Sequence, residues 1–246
     1  MEKKLHGIPV LCKGLVQNFR CKSVMRNVLA KTQLLPLVIF LQMALTSAQG
    51  RAAEPAYEFG GGVVGSFYDK KTFTSAAGNA EAGFATGIGA SAWIGHHMYP
   101  RLSGEIRYDM LRNDMTLEGG GAKATFGGDS HAIHYDLHFH LSEIGSKFRP
   151  FVLAGGGVKM FRGTGQERSF QPLSQIAVLT HTTELAGLIT FGVGVKVQLT
   201  DRILLRVEFR DNLTRFPKKV IAPNRGSGGD GWLNNFAPTA GVSVLF

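Results

Sequence analysis

Four histidines lie within eleven residues, in the segment HAIHYDLHFHL at 131–141. Imidazole nitrogens bind transition metals and act as general bases, so this segment is a candidate for either kind of site. Apolar and polar residues alternate along it, which predicts a β-strand. At about 3.3 Å per residue, His134 and His140 are about 20 Å apart and cannot share one ion, whereas His138 and His140 are about 6.6 Å apart and could. Hydrogen bonding among neutral histidines in a polar interior explains the same residues without a metal, and we expect no metal or other cofactor.

A second candidate is the segment GDSH, which contains Asp129, Ser130 and His131. Adjacent residues on a strand point to opposite sides, so a direct Ser–His relay within the segment is geometrically poor. His181, from a later connection, could instead partner Ser130. Nothing beyond composition supports catalysis, and we therefore expect no enzyme activity. Modification of lipid A in the outer leaflet remains the enzymatic alternative.

The same period-two alternation recurs in eight segments of the chain, each about as long as the 9–11 residues that a tilted membrane strand needs. They run near 56–68, 83–97, 102–111, 131–142, 149–161, 184–199, 203–213 and 235–246. Their connections alternate between short ones, such as TDR, and long ones rich in Gly, Ser, Asn and Pro. This pattern predicts an all-β fold, an eight-stranded antiparallel up-and-down transmembrane β-barrel.

One side of these strands carries large apolar residues, and the other carries Gly, Ser, His and charges. A soluble barrel would turn the apolar side inward, whereas balanced charges on the other side suit a narrow lumen in which ions pair. The predicted polar lumen network is Glu58, Glu105, Arg107, Asp109, His134, Asp136, His138, His140, Lys159, Lys196, Arg206, Glu208 and Arg210. The side chains of an eight-stranded barrel about fill its interior, which weighs against a small-solute pore, the main alternative of another class.

The N-terminal part of the chain has the layout of a secretory signal peptide. Its apolar run, LLPLVIFLQMAL at 34–45, is 12 residues long, and a spanning helix needs about 20. Basic residues precede the run and small residues follow it. We therefore expect 1–24 to be a misassigned upstream extension, 25–53 a signal peptide cleaved after Ala48 or Ala52, and 54–246 the barrel domain.

Charge and cysteine usage exclude other functions. The net charge is +9, but residues 1–53 carry eight Lys or Arg and one acid, which leaves 19 basic and 17 acidic residues from Glu54 on. A nearly neutral remainder predicts no nucleic-acid binding. Both cysteines, Cys12 and Cys21, lie in the leader, so no thiolate or disulfide is available after it.

The strings FRPFVLAGGGVKMF and GVSVLF, with the eight segments and the loop pattern, make the chain resemble the small outer-membrane β-barrels of the OmpA/OmpX kind. The resemblance implies location in the cell outer membrane, a monomer, and a non-enzymatic role in envelope structure, surface recognition or adhesion. It also implies contact with outer-membrane lipid and with the barrel-assembly machinery. That machinery would recognise the last strand as an assembly signal, through Phe236, Val242, Val244 and Phe246.

The last long connection is basic and should border the outer leaflet. It contains Arg215, Lys218, Lys219 and Arg225, and no acid precedes Asp230 in it. Arg and Lys bind phosphate groups, so these four residues are a candidate rim site for lipopolysaccharide. The alternative is a solvated basic loop without a fixed partner.

Overall fold

The computed structural model describes residues 57–167, 170–224, 227 and 231–246. The expected upstream extension, the signal peptide with its cleavage sites, and Arg225 lie outside the described residues. No helix in the described part of the chain is long and apolar enough to cross a membrane. The strands are β1 (Tyr57–Tyr68), β2 (Lys71–Ser75), β3 (Gly78–Phe84), β4 (Gly87–Tyr99), β5 (Leu102–Arg112), β6 (Met115–Gly119), β7 (Ala122–Phe126), β8 (Gly128–His140), β9 (Phe148–Gly163), β10 (Ala177–Leu179), β11 (Thr183–Gln198), β12 (Ile203–Arg215), β13 (Ile221–Pro223), β14 (Trp232–Leu233) and β15 (Asn235–Leu245).

Eight long strands form a closed antiparallel barrel, in the order β1, β4, β5, β8, β9, β11, β12 and β15. The barrel closes where β15 pairs with β1, and the backbones of Tyr57 and Phe246 exchange two hydrogen bonds of 3.0 Å at the end of this seam. Three short turns lie at one end of the barrel, here called the turn end, and the long connections lie at the opposite loop end. The predicted eight-stranded up-and-down barrel is confirmed.

Large apolar side chains cover the outside of the barrel wall. Ile94, Ile106, Phe139, Val152 and Phe191 each expose about half of their surface. An exposed apolar belt of this extent is unstable in water and stable against lipid chains. The wall therefore spans a bilayer with its apolar face outward, as the alternation predicted.

Glycines on the inner face make room for large polar side chains. A Cβ atom added to Gly60 would lie 2.4 Å from Trp93 Nε1, and one added to Gly155 would lie 2.2 Å from Asp136 Oδ1. Both distances are far below van der Waals contact, so neither position accepts a side chain without displacing a neighbour. The glycine-rich strings of the sequence thus provide space in a narrow barrel.

The long connections fold into a structure that the sequence did not predict. Strands β2, β3, β6 and β7 form a four-stranded sheet, and β10 pairs with β13. Their apolar residues pack into one buried cluster with Phe161 and Ala186 from the barrel strands. We call these six strands and their cluster the cap. The cap fills the loop end of the barrel with apolar side chains.

Candidate functional site

All thirteen predicted lumen residues lie on the inner face, and each exposes 3% of its surface or less. They come from β1, β5, β8, β9, β11 and β12, which surround the lumen. Because alternate residues of each strand point inward, one polar position every two residues is enough to stack charges along the barrel axis. The lumen is therefore filled with ionisable side chains.

Glu208 is the centre of the ion-pair network. Arg206 Nε donates to Glu208 Oε2 over 2.9 Å, Arg210 Nε donates to Oε1 over 2.9 Å, and Arg107 also binds this carboxylate. Arg206 binds Glu105 through both terminal nitrogens, with Nη2 at 3.1 Å from Oε1. Bidentate guanidinium–carboxylate pairs are strong and directional, so they hold strands on opposite sides of the lumen in a fixed arrangement.

The network continues from Glu208 towards β8. Arg210 Nη1 donates to Asp136 Oδ2 over 2.5 Å, and Asp136 Oδ1 lies 2.9 Å from His134 Nδ1. His134 Nε2 lies 3.3 Å from Asp109 Oδ2, and Arg107 Nε donates to Asp109 Oδ1 over 2.8 Å. Each buried acid here has a cation or an imidazole beside it, as buried charges require.

Two further parts of the lumen lie beside this network. Towards the turn end, Lys196 Nζ donates to Glu58 Oε2 over 2.5 Å. Towards the loop end, Lys159 Nζ donates to Asn235 Oδ1 over 2.8 Å and lies over the rings of Tyr68 and Phe161. Lys159 thus has no carboxylate partner among the described residues, unlike the other four cations of the predicted set.

Among the inward-facing residues that were not predicted, Trp93, Arg149 and His97 bear most on the site. The guanidinium carbons of Arg107 and Arg206 lie over the ring of Trp93, 5.0 and 4.7 Å from its centroid, and Trp93 Nε1 donates to Ser243 Oγ. Arg149 and His97 face the lumen near the turn end. Only the period-two register with Ser91 and Gly95 signalled that Trp93 points inward.

The histidines do not form a simple metal site. His138 and His140 have ring centroids 6.2 Å apart, and His138 stacks on Phe151. Glu105, Asp136 and His138 bring possible ligand atoms within 4.8 Å of one another. Guanidinium groups already occupy both of these carboxylates, so a metal ion would have to displace Arg206 and Arg210 contacts.

The GDSH segment does not form a Ser–His relay. Ser130 is buried on the inner face, whereas His131 lies on the outer face with Nδ1 2.7 Å from Tyr108 Oη. Asp129 is bound by Arg162 over 2.6 and 2.9 Å. His181 Nδ1 donates to the carbonyl of Gly165 over 2.8 Å.

The predicted rim residues that the structure describes lie at the loop end. Arg215 is exposed on the outer face and stacks over Trp232, with the guanidinium carbon 4.5 Å from the ring. The side chains of Lys218 and Lys219 are exposed, and the Lys219 backbone N–H donates to Glu184.

The four residues of the expected assembly signal occupy the outer face of the last strand. Val242 and Phe246 are exposed, and Phe236 stacks beside Phe209 with centroids 5.9 Å apart. Phe236, Val242, Val244 and Phe246 thus form one apolar stripe next to the barrel seam.

Fold and interior together define a small eight-stranded membrane β-barrel with a polar interior. No known family model matches the chain, and no curated protein matches it in sequence. Among solved structures, the outer membrane protein OprG from Pseudomonas aeruginosa is similar with a TM-score of 0.50 at 11% identity, over 78% of this chain and 96% of that chain. Neisserial surface protein A aligns with a TM-score of 0.48 at 12% identity, over 77% and 97% of the two chains.

The outer membrane protease OmpT from Escherichia coli aligns more distantly, with a TM-score of 0.44 at 10% identity over 81% and 99% of the two chains. At these identities the likeness shows the fold alone. The resemblance to the small outer-membrane barrels is therefore confirmed for the fold.

Proposed function

We propose that this protein is a non-conducting, non-enzymatic barrel of the outer membrane that presents its cap for recognition or adhesion at the cell surface. The observation that carries this proposal is that buried side chains close the lumen at two levels. Ion pairs fill the middle of the barrel, and the apolar cluster of the cap fills its loop end. In barrels of this class the short turns face the periplasm and the long loops face outward, which puts the cap outside the cell.

Recording of single-channel currents tests the closed lumen. Protein reconstituted into planar bilayers should give no discrete conductance steps, while a porin inserted at the same protein-to-lipid ratio gives them. A small-solute pore requires a continuous water path past Glu208 and past Phe161, and both side chains are buried. Reproducible unit conductance from the wild-type protein would contradict the proposal.

The absence of enzyme activity is part of the same proposal. It is supported by the position of Ser130, which faces the lumen while His131 faces outward. Mass spectra of lipid A from cells that overproduce the protein should match spectra from cells with an empty vector. A new lipid A species that disappears with Ser130→Ala would support the enzymatic alternative instead.

We also propose that the basic rim binds phosphate groups of lipopolysaccharide. Support comes from Arg215, Lys218 and Lys219, which are exposed at the loop end. A triple Gln variant at these positions should co-purify with less lipopolysaccharide than the wild type. The matched control replaces Arg101, Lys147 and Arg202 at the turn end, and should leave the lipid content unchanged. Equal lipid in both variants would favour a solvated loop.

Contact with the barrel-assembly machinery is proposed through the apolar stripe of β15 and Phe246. Phe246→Ala should reduce the amount of folded protein in the outer membrane, measured by its heat-sensitive mobility on gels. Val193→Ala, also exposed on the outer face but on β11, is the control. A Phe246 variant that inserts at the control level would contradict this role.

A further inference from the structure

The charges of the lumen do not balance at the turn end. The five carboxylates of the predicted lumen network are matched by four cations and by the His134 imidazole, which lies between Asp109 and Asp136. A sixth buried carboxylate, Asp211, accepts a hydrogen bond from Asn234 towards the loop end. The four cations are Arg107, Lys196, Arg206 and Arg210. Lys159 is accommodated separately by Asn235 and two aromatic rings. Arg149 is the remaining buried cation in the part of the chain that the structure describes.

Arg149 is the second residue of β9 and faces inward beside Lys196, its register partner on β11. Only 4% of its surface is exposed, and its Nε and Nη2 atoms are buried without a hydrogen-bond partner in the described structure. Glu58 is the carboxylate that acts on it electrostatically, but Glu58 Oε2 is bound by Lys196 over 2.5 Å, and Glu58 Oε1, which is 3.8 Å from Arg206, accepts no hydrogen bond from Arg149. A buried guanidinium with two unused donor groups is unfavourable unless a negative charge accompanies it.

Two imidazoles lie on the inner face near Arg149: His140 is the register partner of Phe151, which is two residues along β9 from Arg149 on the same face, and His97 is next to His140. His97 on β4 and His140 on β8 have ring centroids 6.5 Å apart, and both interact electrostatically with Arg149 and Lys196. Both nitrogens of His97 and Nδ1 of His140 are buried without a partner, while His140 Nε2 is 2.9 Å from Ser103 Oγ. Each ring can therefore present an N–H donor to the same region of the lumen.

We propose that the turn end of the lumen binds a small inorganic anion, held by the Arg149 guanidinium and by N–H groups of His97 and His140. The anion supplies the missing negative charge and accepts from donors that otherwise have no partner. A divalent metal ion would use the same imidazoles, but it would lie near the positive charges of Arg149 and Lys196, which repel it. Because Arg149 is one residue from the start of its strand, the anion enters from the periplasmic side. Chloride, phosphate and sulfate share the chemistry that this site recognises.

Bromide provides a direct test on the wild-type protein. Crystals grown in sodium bromide should show an anomalous peak in contact with the Arg149 guanidinium and facing His97 and His140. Water alone at this position in saturating bromide would overturn the proposal. Zinc density between His97 and His140 in crystals grown with zinc, in the absence of any bromide peak at Arg149, would overturn it as well.

Thermal unfolding in a non-ionic detergent supplies a second test. Chloride is compared at constant ionic strength with gluconate, a much larger anion of lower charge density. At a chloride concentration about four times the dissociation constant of the site, chloride should raise the melting temperature by about 2–4 °C. Arg149→Gln should abolish this rise and be at least as stable as wild type in gluconate, because the variant removes an uncompensated charge. Arg101→Gln, an exposed arginine at the same end, should keep the rise. Equal chloride effects in wild type and Arg149→Gln would contradict the site.

Discussion

The lumen and the cap are both buried, but their chemistry is opposite. The lumen contains Arg107, Arg206 and Glu208, which are almost fully buried, whereas the cap buries Phe73 and Leu117 to the same degree. The difference follows from what lies outside each region. Lipid chains cover the apolar outside of the barrel wall, while water surrounds the cap, so only the cap gains free energy by turning apolar residues inward.

Along the inner face of strand β9, the polar lumen gives way to the apolar cluster of the cap within two residues. Lys159 and Phe161 both point inward, and Lys159 belongs to the polar lumen while Phe161 belongs to the apolar cluster of the cap. On the water-facing surface of the cap, Thr72 and Lys123 are exposed where the barrel wall would carry Val or Phe. The apolar face therefore points outward only along the barrel wall, which lipid surrounds, and points inward in the cap, which water surrounds.

The largest expected effect is the loss of a charge from the lumen. Arg206→Ala would leave Glu105 and Glu208 buried without one of their guanidinium partners, which typically costs about 3–5 kcal/mol. The midpoint of urea unfolding in lipid vesicles should therefore fall strongly. Arg112→Ala, on the exposed outer face, is the matched control and should have little effect. Equal midpoints for the two variants would argue against an interior stabilised by these pairs.

In the cap, the corresponding change is a cavity in the apolar cluster. Leu117→Ala should destabilise the cap by about 2–5 kcal/mol, because Leu117 is fully buried. The effect should be local: limited proteolysis should cleave the long connections faster while the barrel strands stay protected. Thr125→Ala, exposed on the same sheet, is the control. If the barrel unfolded together with the cap, the two regions would form one cooperative unit.

A smaller effect is expected from filling the space that glycine leaves in the barrel wall. A Cβ atom on Gly155 would lie 2.2 Å from Asp136 Oδ1 and 2.3 Å from the carbonyl oxygen of Tyr135, so Gly155→Ala should cost about 1–3 kcal/mol. At Gly187, on the outer face, an added Cβ meets nothing within 4 Å. Gly187→Ala should therefore unfold at the wild-type midpoint, and a similar loss in both variants would contradict the steric explanation.

The sequence predicts the barrel well because strand alternation and turn chemistry are local signals. The ion pairs are not local: Arg107 and Glu208 are 101 positions apart, and only the closed barrel brings them together. Arg149 was missed because β9 is apolar on both faces near its start, with Phe151 inward and Val152 outward, so alternation does not show which way Arg149 points. The cap strands were missed because segments such as KTFTS are too short to establish a period.

The smallest expected effect lies on the surface of the cap, at Glu118. Its carboxylate is 2.7 Å from Lys123 Nζ and 2.9 Å from Lys70 Nζ. Hydrogen bonds from Lys123 and then Lys70 lower the pKa of Glu118 from its ordinary value of 4.5 to about 2. Since the folded-state pKa is the lower one, the contribution to stability is fully present above about pH 4.5 and is lost as the pH falls towards 2.

Glu118→Gln should therefore speed hydrogen exchange in β6 and β7 slightly at pH 6, and the difference from wild type should shrink as the pH approaches 2. Salt should reduce it further, because water screens exposed ion pairs. The barrel strands should exchange at the same rate in both proteins, since Glu118 contacts only cap residues and the adjoining Lys70 in the described ion pairs. A difference that persisted at pH 2, or that spread into β5 and β8, would mean that Glu118 acts through packing and not through its charge.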